Sequence, residues 1–356
     1  MKVSVIIANH KFDLLFKETI ESVLSHMKVT NLMVEVIVVN NGLSLDEADN
    51  ARKWLSHFAK ASRDKSLRLL QLQEGNPCKA RNLGGRVAKG KYLVFLDNDT
   101  LVDTNWLEEV VKYLDTHLKV GAGQLKLLRI KSHMKVTNLD VGKYDSAGEM
   151  ITSDGFLVER AREAEDKGQF DKEELIFSGK GAGLMIRRSV FEKVRGFDED
   201  YVYYWEEPDL MWRVWKAGYE VRFLWMGKVN HAYGTKLKPI PRVPAETQVY
   251  LACRNQLMTV LKNGEGEYRR RMITRVGLSW LGLQALFLLK GRWSQNRAIE
   301  NALTWLIFHP GMVARKRKWV QENLPSDDAW MEKVLVERDY KWYLGKAKAY
   351  ISGKPF

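Results

Sequence analysis

The sequence is poor in cysteine and has no long apolar run. Its 356 residues include two cysteines, Cys78 and Cys253, which excludes a disulfide scaffold and a cysteine-rich zinc site and fits a reducing compartment. The longest apolar run covers residues 276–289, whereas a spanning helix needs roughly 17–25 residues. The first apolar run ends before Asn9, too early for a secretory signal. We therefore expect a cytoplasmic protein without a spanning helix; a peripheral contact with the inner face of the cell membrane stays open.

The composition is that of a folded protein with an excess of positive charge. Hydrophobic residues make up 45% and charged residues 28% of the chain, which supports a packed core and excludes a disordered or low-complexity protein. The net charge is +13. Most of this excess comes from residues 262–320, where arginine and lysine far outnumber glutamate. The basic charge is thus concentrated in the C-terminal part of the chain.

The N-terminal half alternates predicted strands and helices. Near-continuous apolar strands separated by helices are typical of a mostly parallel sheet with helices on both faces. Such a sheet binds ligands beyond the carboxyl ends of its strands, so polar residues directly after a strand are the first candidates for a site. The predicted strands are 3–8, 34–39, 67–72 and 92–96, and the predicted helices are 13–27, 48–61 and 79–89.

The second half is less regular and ends in a helical region. Residues 121–177 are predicted as loops and short strands, and the elements expected after them are a strand at 176–188, helices at 189–194 and 207–217, and a strand at 221–225. Three prolines then precede a long helical pattern. We divide the chain into a domain of residues 1–245, with halves of about 1–120 and 121–245, and a basic helical region of residues 246–356.

One short segment occurs twice in the chain. The octamer SHMKVTNL stands at residues 25–32 and again at 132–139. It has no third copy and its flanks differ, so it fits no repeat architecture. We have no physical account of this duplication.

Asp97, Asn98 and Asp99 directly follow the apolar strand at residues 92–96. Two carboxylates at a strand end can hold one Mg²⁺ or Mn²⁺ ion, whose remaining ligands are phosphate oxygens and water. The alternative is a polar turn that caps the next element. Their place after a buried central strand favours a metal site.

Three further sets of residues are candidates for chemistry. Lys79 and Arg81 open a helix near the same strand ends, where a guanidinium suits bidentate contact with phosphate; the alternative is a solvated basic helix, which is as good an explanation for Lys79 but is less favoured for Arg81. A carboxylate between aromatic residues is partly desolvated, which suits a general base; alternatively, acids and a proline simply start a helix well. A histidine after the strand at 221–225 could add a metal ligand or be an ordinary loop residue. The acids are Glu206, Glu207 and Asp209, and the histidine is His231.

Taken together, these segments resemble the family 2 inverting glycosyltransferases with a GT-A fold, over about residues 3–263. A rhamnosyltransferase-like subgroup is one alternative within that family. Each segment alone is weak evidence, and the order and spacing of the set make the resemblance specific. The segments that carry it are 3–10, 36–42, 80–82, 95–99, 196–199, 205–210 with Arg213, His231, and 254–255.

The resemblance implies a fold and a set of roles. The fold is a Rossmann-like, mostly parallel sheet with flanking helices, followed here by a helical appendage. Asp97 and Asp99 are expected to hold the metal and the diphosphate, with Asp99 favoured as direct ligand and His231 as a further one. Glu207 stands at the place of the catalytic base, with Glu206 and Asp209 as rivals. The residues expected to bind the nucleotide-sugar are Ala8, Asn9, His10, Asn40, Lys79, Arg81, Asp97 and Asn98.

The implied reaction is a metal-assisted single displacement that inverts the anomeric centre. The donor is a UDP-, dTDP- or GDP-sugar and the cofactor is Mg²⁺ or Mn²⁺. The acceptor is a hydroxyl of a glycan, a polysaccharide or a lipid-linked saccharide, in cell-envelope glycan biosynthesis. His10 is expected to stack on the nucleotide base. Asn40 replaces an acid that often contacts the base or ribose, and this leaves the nucleotide open.

Two interpretations of the C-terminal region compete. Apolar stretches at 276–289 and 302–308 lie between basic clusters at 269–271 and 315–318. Amphipathic helices could therefore lie on an anionic membrane through residues 269–318, or these helices could pack on the catalytic domain or a second copy. Other functions also stay open: a nucleotidyltransferase, although the glycine-rich phosphate loop is missing after the first strand, and a non-catalytic protein that binds nucleic acid or membrane. No nucleic-acid recognition motif is visible.

Overall fold

The structure is a computed structural model that describes residues 2–61, 66–130, 142–232, 243–324 and 327–352. The second copy of the octamer lies outside the described residues, and the first copy crosses the end of helix α1. The strands are β1 (Val3–Asn9), β2 (Val34–Asn41), β3 (Leu67–Leu72), β4 (Tyr92–Asp97), β5 (Thr100–Val102), β6 (Val120–Arg129), β7 (Lys143–Ser146), β8 (Glu149–Ile151), β9 (Leu157–Glu159), β10 (Glu174–Leu175), β11 (Leu184–Arg187) and β12 (Glu220–His231).

Helices cover the sheet and make up the C-terminal part of the described chain. Two short 3₁₀ turns, Gly181–Gly183 and Asp328–Lys333, accompany them. The helices are α1 (Leu14–Met27), α2 (Leu45–Ala61), α3 (Pro77–Val87), α4 (Glu108–Thr116), α5 (Arg188–Lys193), α6 (Glu206–Lys216), α7 (Ala245–Asn263), α8 (Gly266–Leu289), α9 (Trp293–Phe308), α10 (Pro310–Asn323) and α11 (Tyr340–Ser352).

The central sheet has the strand order β10-β12-β6-β11-β4-β1-β2-β3, with β5 paired to β12 and β7 paired to β6. Strands β1 to β4 pair in parallel, and so do β6 and β12. Because β11 runs antiparallel to both β4 and β6, the six long strands all point in one direction. The expectation of an α/β fold with a central, mostly parallel sheet and added C-terminal helices is confirmed.

Alternating residues of the strands face two hydrophobic cores. In β1, Val3, Val5 and Ile7 pack into one core, and Ile6 and Ala8 pack into the other. Helix starts are fixed by capping, because a side-chain oxygen satisfies a free amide of the first turn. Such a cap occurs in α3, where the Asn76 side chain accepts from Lys79 N. The seven predicted elements of the first half agree with the structure to within three residues.

Three predictions for the second half were wrong. Residues 121–177 contain a long buried strand, β6, whose polar and glycine residues interrupt the apolar pattern. A Cβ at Gly123 would collide with the Leu224 side chain, so the glycine serves close packing against β12. The strand predicted at 176–188 is only Leu184–Arg187, because a 3₁₀ turn precedes it.

The third wrong prediction concerns β12, which was expected at residues 221–225. It extends to His231 through a register shift between Leu224 and Lys228. At this irregularity a Cβ on Gly227 would collide with Leu125 and Val110 side chains, so glycine is required there. His231 is consequently the last residue of a strand, and its backbone is held in the sheet, which was not expected for a loop residue.

Helix α7 anchors the C-terminal helices to the sheet domain. It packs against α6, α8, α9 and α10, and its residues 251–260 are all buried. Lys262 pairs with Asp198 at 2.6 Å and with Asp209 at 2.7 Å. Lys316 of α10 also pairs with Asp198. The division of the chain at residue 245 stays a prediction.

Helix α8 is longer than the apolar run that suggested it. It has 24 residues and, within the described ranges, it is the one helix whose length and composition would allow it to cross a membrane. One side of it, which includes Val276, Trp280 and Phe287, is buried against α7 and α9. The other side is exposed, so only 28% of its most apolar stretch is buried.

Candidate active site

The site forms where the chain leaves β4 and continues into β5, which pairs with the end of β12. Asp97 is the last residue of β4, and Asn98 and Asp99 form the turn into β5. Because β5 runs antiparallel to β12, His231 stands opposite Thr100. The amide of Ala232 donates to the Asp99 carbonyl at 3.0 Å. Residues far apart in the sequence are brought together in this way by strand pairing.

Asp97, Asp99 and His231 form a group that could hold a metal ion. One ligand atom from each lies within 4.8 Å of the other two, and His231 Nε2 is 3.3 Å from Asp99 Oδ1. Two carboxylate oxygens and an imidazole nitrogen suit Mg²⁺ or Mn²⁺, with Mn²⁺ the more tolerant of nitrogen. The predicted metal residues thus lie together, and their donor atoms fit such an ion.

Asp145 of β7 orients His231. Its Oδ2 is 3.0 Å from His231 Nδ1, and a carboxylate on the second ring nitrogen is the usual support of a metal-binding histidine. Burial lowers the pKa of His231, but Asp99 and Asp145 outweigh that effect and raise the pKa to about 10. Lys180 Nζ lies 3.3 Å from Asp145 Oδ1 and extends this series of side-chain contacts. Sequence reasoning missed Asp145, because it lies in a region predicted as loops.

Arg81 joins the metal-side acids to the acids at the start of α6. Its Nη2 donates to Asp97 Oδ1 at 3.0 Å, and its Nη1 donates to Glu207 Oε1 at 3.2 Å. Glu206 Oε1 lies 3.8 Å from the same Nη1. The guanidinium is buried and stacks over Phe197 with 5.4 Å to the ring centroid. Bridging two carboxylates in this way requires several N–H donors in a fixed plane, which a guanidinium provides.

Glu206 is buried and Glu207 is largely buried, and both acids have a raised proton affinity. Burial and the neighbouring Glu207 raise the pKa of Glu206, against the attraction of Arg81. Burial also raises the pKa of Glu207, and Arg81 again opposes it. The amide of Gly181 donates to Glu207 Oε1 at 3.0 Å. A Cβ at Gly181 would collide with the Arg81 and Glu207 side chains, so a glycine is needed beside this pair.

Asp209 does not join this group. Its side chain is fully buried, and its Oδ2 accepts from Arg213 Nη2 at 2.7 Å. Its Oδ1 is 2.7 Å from Lys262 Nζ and accepts from Asn263 at 2.8 Å. Both oxygens are therefore engaged in the interior, and the prediction of Asp209 as a rival base does not fit this position. The acid spacing on α6 could not reveal this, because it depends on partners from α7.

A row of side-chain amides runs beneath the strand ends. Asn98 donates to Asn9 at 3.0 Å, Asn9 donates to Asn40 at 3.4 Å, and Asn40 donates to Gln71 at 3.1 Å. Asn9 and Asn40 are fully buried. The predicted donor-site residues at these strand ends are thus connected, and Ala8 pairs in register with Asp97. Gln71 was missed, since nothing in its own strand marks it.

His10 and Lys79 lie at the surface of this region. His10 is exposed in the bend after β1, next to the row of amides. Lys79 stands two residues before Arg81, and its ammonium group pairs with Glu74 at 2.5 Å. The structure therefore brings His10 to the strand ends and directs the Lys79 ammonium to a partner outside the acidic group.

The loop before α6 has an unusual backbone. Tyr204 and Trp205 have φ angles of 67° and 71°, a left-handed conformation that is costly for side-chain-bearing residues. The Asn255 side chain of α7 donates to the carbonyls of Tyr203 and Tyr204, both at 2.9 Å. Asn255 therefore holds the loop that leads directly into Glu206.

Comparison with solved structures defines the class of fold. The chain aligns over 100% of its length with GalNAc-T7 bound to UDP, GalNAc and Mn²⁺, at a TM-score of 0.64, 14% identity and 58% coverage of that chain. TarS residues 1–349 from S. aureus gives 0.55, 15% identity and 93% coverage. A Pyrobaculum calidifontis mannosyltransferase bound to GDP-Man and Mn²⁺ gives 0.51, 16% identity and 88% coverage, over 99% of this chain. The fold is that of the GT-A glycosyltransferases.

Sequence comparison gives the family. The profile of the family described as Glycosyl transferase family 2 matches residues 4–195, more than half of the chain. The chain belongs to glycosyl transferase family 2. An uncharacterized glycosyltransferase of Rickettsia bellii is 36% identical over 97 residues, 27% of this chain and 13% of that protein. One from Nostoc sp. is 25% identical over 224 residues, 61% of this chain and 58% of that protein. The chain thus spans less than two thirds of either relative.

Proposed function

We propose that this protein transfers a glycosyl group from a nucleotide-sugar to an acceptor hydroxyl, with inversion at the anomeric carbon. The observation that carries the proposal is the bridge made by Arg81. One guanidinium binds Asp97, which is one of the candidate metal ligands, and Glu207, a largely buried acid with raised pKa. A group that holds a diphosphate and a group that accepts a proton are thereby kept a few ångströms apart.

Different residues of the chain would carry out different parts of the reaction. Asp97, Asp99 and His231 would hold a Mg²⁺ or Mn²⁺ ion, which supplies positive charge against the charge of a departing diphosphate. Arg81 adds a fixed positive charge at the same place. Glu207 accepts the acceptor's hydroxyl proton while the acceptor oxygen bonds to the anomeric carbon and the bond from that carbon to the diphosphate oxygen breaks.

Glu207 is our choice of base, and Glu206 is the alternative. Both are buried beside Arg81, but the Glu207 side chain is 14% exposed and that of Glu206 is 8% exposed. A base must reach the hydroxyl that it deprotonates, which favours the more accessible acid. The raised pKa of Glu207 suits proton transfer near neutral pH.

The donor is proposed as a UDP-, dTDP- or GDP-sugar. Its nucleotide would lie over the strand ends near His10, above the row of amides that includes Asn9 and Asn40. Structural relatives are bound to UDP or GDP-Man, in two cases with Mn²⁺, which supports a donor and a cation of these kinds. Family membership argues against the nucleotidyltransferase alternative.

Thermal unfolding tests the donor site directly. The wild type, Asp99→Ala and the control Asp103→Ala would be unfolded with each nucleotide-sugar, with and without Mn²⁺. Asp103 is an exposed acid paired with Lys228, outside the candidate ligands. A donor at about 100 times its Kd stabilises the folded state by about 2.7 kcal/mol. We expect a Mn²⁺-dependent rise of the midpoint that is lost only in Asp99→Ala. No rise with any donor would contradict the proposal.

We further infer that the acceptor is a lipid-linked or cell-envelope saccharide reached at the cytoplasmic face of an anionic membrane. The observation behind this is the tip of the α8–α9 hairpin. Leu289 is 85% exposed and Trp293 is 68% exposed, and Lys290 and Arg292 lie between them. Exposed leucine and tryptophan beside cations favour insertion into the interface of an anionic bilayer. Since the other side of α8 is packed on α7 and α9, lying on the membrane fits better than crossing it.

Vesicle sedimentation tests the membrane contact. We expect the protein to bind phosphatidylcholine vesicles that contain about 30% phosphatidylglycerol and to bind pure phosphatidylcholine weakly, since anionic lipid attracts the cations. The variant Leu289→Ser/Trp293→Ser should lose binding. The control Leu45→Ser/Tyr340→Ser removes side chains of matched exposure, 87% and 69%, and should keep it. Equal binding by both variants would exclude the tip as the contact. A change of oligomeric state in the first variant alone would indicate an interface between two copies.

A further inference from the structure

A cleft of about 720 Å³ lies between the start of α7 and helix α9. Its volume falls in the range of roughly 300–1,000 Å³ that is typical of small-molecule sites. None of the candidate donor or metal residues lines it. No residue that lines this cleft has a role in the reaction described above. One wall of the cleft is formed by α7, the helix that also carries Asn255.

Aromatic rings form one side of the cleft. The Arg254 guanidinium lies 4.9 Å from the Trp305 ring centroid and 5.4 Å from that of Tyr250. His309 stacks on Trp305 at 4.5 Å with an interplanar angle of 17°. Phe308 also lines the cleft and is 76% exposed. Phe308 therefore offers the cleft an apolar ring that the protein itself does not cover.

Polar groups of both kinds face the same space. Glu246 supplies an acceptor, Arg297 supplies donors, and Asn301 and Thr304 supply both. The charges of Glu246 and Arg297 cancel, so the lining does not favour a phosphate or another strong anion. A ligand that matches it is neutral, has an apolar face for the rings and carries hydroxyl groups on its rim. A saccharide has these properties.

The cleft is connected to the loop of the proposed base. Tyr250 and Asn255 lie on different sides of α7, about 7.5 Å apart along the helix axis, and Arg254 contacts both the aromatic wall and the segment before Glu206. Asn255 holds the carbonyls of Tyr203 and Tyr204, just before Glu206. Arg254 donates to the Asp200 carbonyl at 2.8 Å. Consecutive residues of one helix thus fix the aromatic wall and the segment that leads into the acids.

We propose that the α7–α9 cleft is a saccharide-binding subsite for the acceptor. The proposal rests on the proposed function, because it gives the cleft the acceptor of that transfer. The polar rim orients the hydroxyl groups of the saccharide, and the rings bind its apolar face.

Saturation-transfer NMR tests the subsite with defined probes. The probes are methyl glycosides of glucose, galactose, mannose, rhamnose and N-acetylglucosamine, together with cellobiose and lactose. The variants are Phe308→Ala and Asn301→Ala, both at exposed positions. The control is Tyr340→Ala, an aromatic residue of similar exposure outside the cleft. We expect at least one probe to bind the wild type and the control, and binding to weaken about two- to tenfold in Phe308→Ala, the loss of one aromatic contact.

The outcomes separate the two proposals. If no probe binds the wild type, or if binding persists unchanged in Phe308→Ala and Asn301→Ala, the subsite is overturned. The Mn²⁺-dependent thermal shift by nucleotide-sugars is measured on the same preparations and does not involve the cleft. A donor shift without saccharide binding overturns the subsite alone, and saccharide binding without any donor shift overturns the proposed transfer.

Discussion

Arg81 is the residue on which the arrangement of the acids depends. Its buried guanidinium pairs with Asp97, Glu206 and Glu207, so its removal leaves the buried Glu206 and the largely buried Glu207 without their cation. We expect Arg81→Met to lower the free energy of unfolding by about 3–5 kcal/mol, measured by urea denaturation. Arg86 on the same helix has a 61% exposed side chain, and Arg86→Met should cost no more than about 1 kcal/mol. Similar losses in both variants would contradict this role for Arg81.

The identity of the base is a second question at the scale of single residues. Glu207→Gln keeps the shape and the bond from Gly181 but cannot accept a proton. We expect it to lower kcat about 10²–10⁴-fold, while the thermal shift by the nucleotide-sugar is retained. Glu206→Gln should lower kcat less. A larger loss in Glu206→Gln would assign the base to Glu206 instead.

Single residues also mark the limit of prediction from sequence. Asp97, Asp99 and His231 could be predicted as a group, because the two acids directly follow an apolar strand and all three match a family pattern. Asp145 could not, since its role depends on the pairing of β7 with β6 and on the length of β12. The burial of Asp209 was equally hidden, because Lys262 and Asn263 reach it from a helix far along the chain.

At the scale of elements, the loop before α6 depends on α7. Asn255→Ala removes two hydrogen bonds from a strained segment. We expect kcat to fall about 10–100-fold, as for small misplacements of a reacting group, with little change in donor binding. Gln248, also on α7, donates to the Val243 carbonyl at 2.6 Å away from this loop. Gln248→Ala should keep kcat, and an equal fall in both variants would point to general damage of α7.

The predicted elements were accurate where the apolar pattern of the sequence matches the burial of the residues in the structure. Strands β1 to β4 are continuous apolar runs between helices, and such runs are readable without tertiary information. Strand β6 carries Gly121, Gly123, Gln124 and Lys126, so its sequence does not look buried. Strand β12 continues through Gly227 into its second half. Both strands are stabilised by neighbours that the local sequence does not reveal.

At the scale of the whole molecule, Asp198 links the sheet domain to the C-terminal helices α7 and α10. It is paired with Lys262 of α7 and Lys316 of α10, with Asp200 and Asp209 nearby on the same lysines. Burial alone would raise the pKa of Asp198, but these lysines hold it well below its usual range. Its stabilising effect is therefore complete above the unfolded pKa of about 3.9 and is lost as the pH falls below that value.

We expect Asp198→Asn to lower the free energy of unfolding by about 1–3 kcal/mol at pH 7, measured by urea denaturation. The difference from the wild type should be constant between pH 8 and pH 5, about one unit above the unfolded pKa, and should shrink below about pH 4. Asp49→Asn, which alters an exposed pair with Lys53, serves as the control and should show little effect. A difference that grows on acidification would contradict this sign.

The row of amides beneath the strand ends has a direction. Each donates the same way, from Asn98 through Asn9 and Asn40 to Gln71. An ionised carboxylate cannot donate a hydrogen bond. An aspartate at Asn9 or Asn40 could therefore accept the hydrogen bond from one neighbour but could not donate one to the other. The polarity of the row thus keeps the floor of the proposed nucleotide site electrically neutral. A base bound above the row would therefore meet neutral amide groups and no charged group of the row.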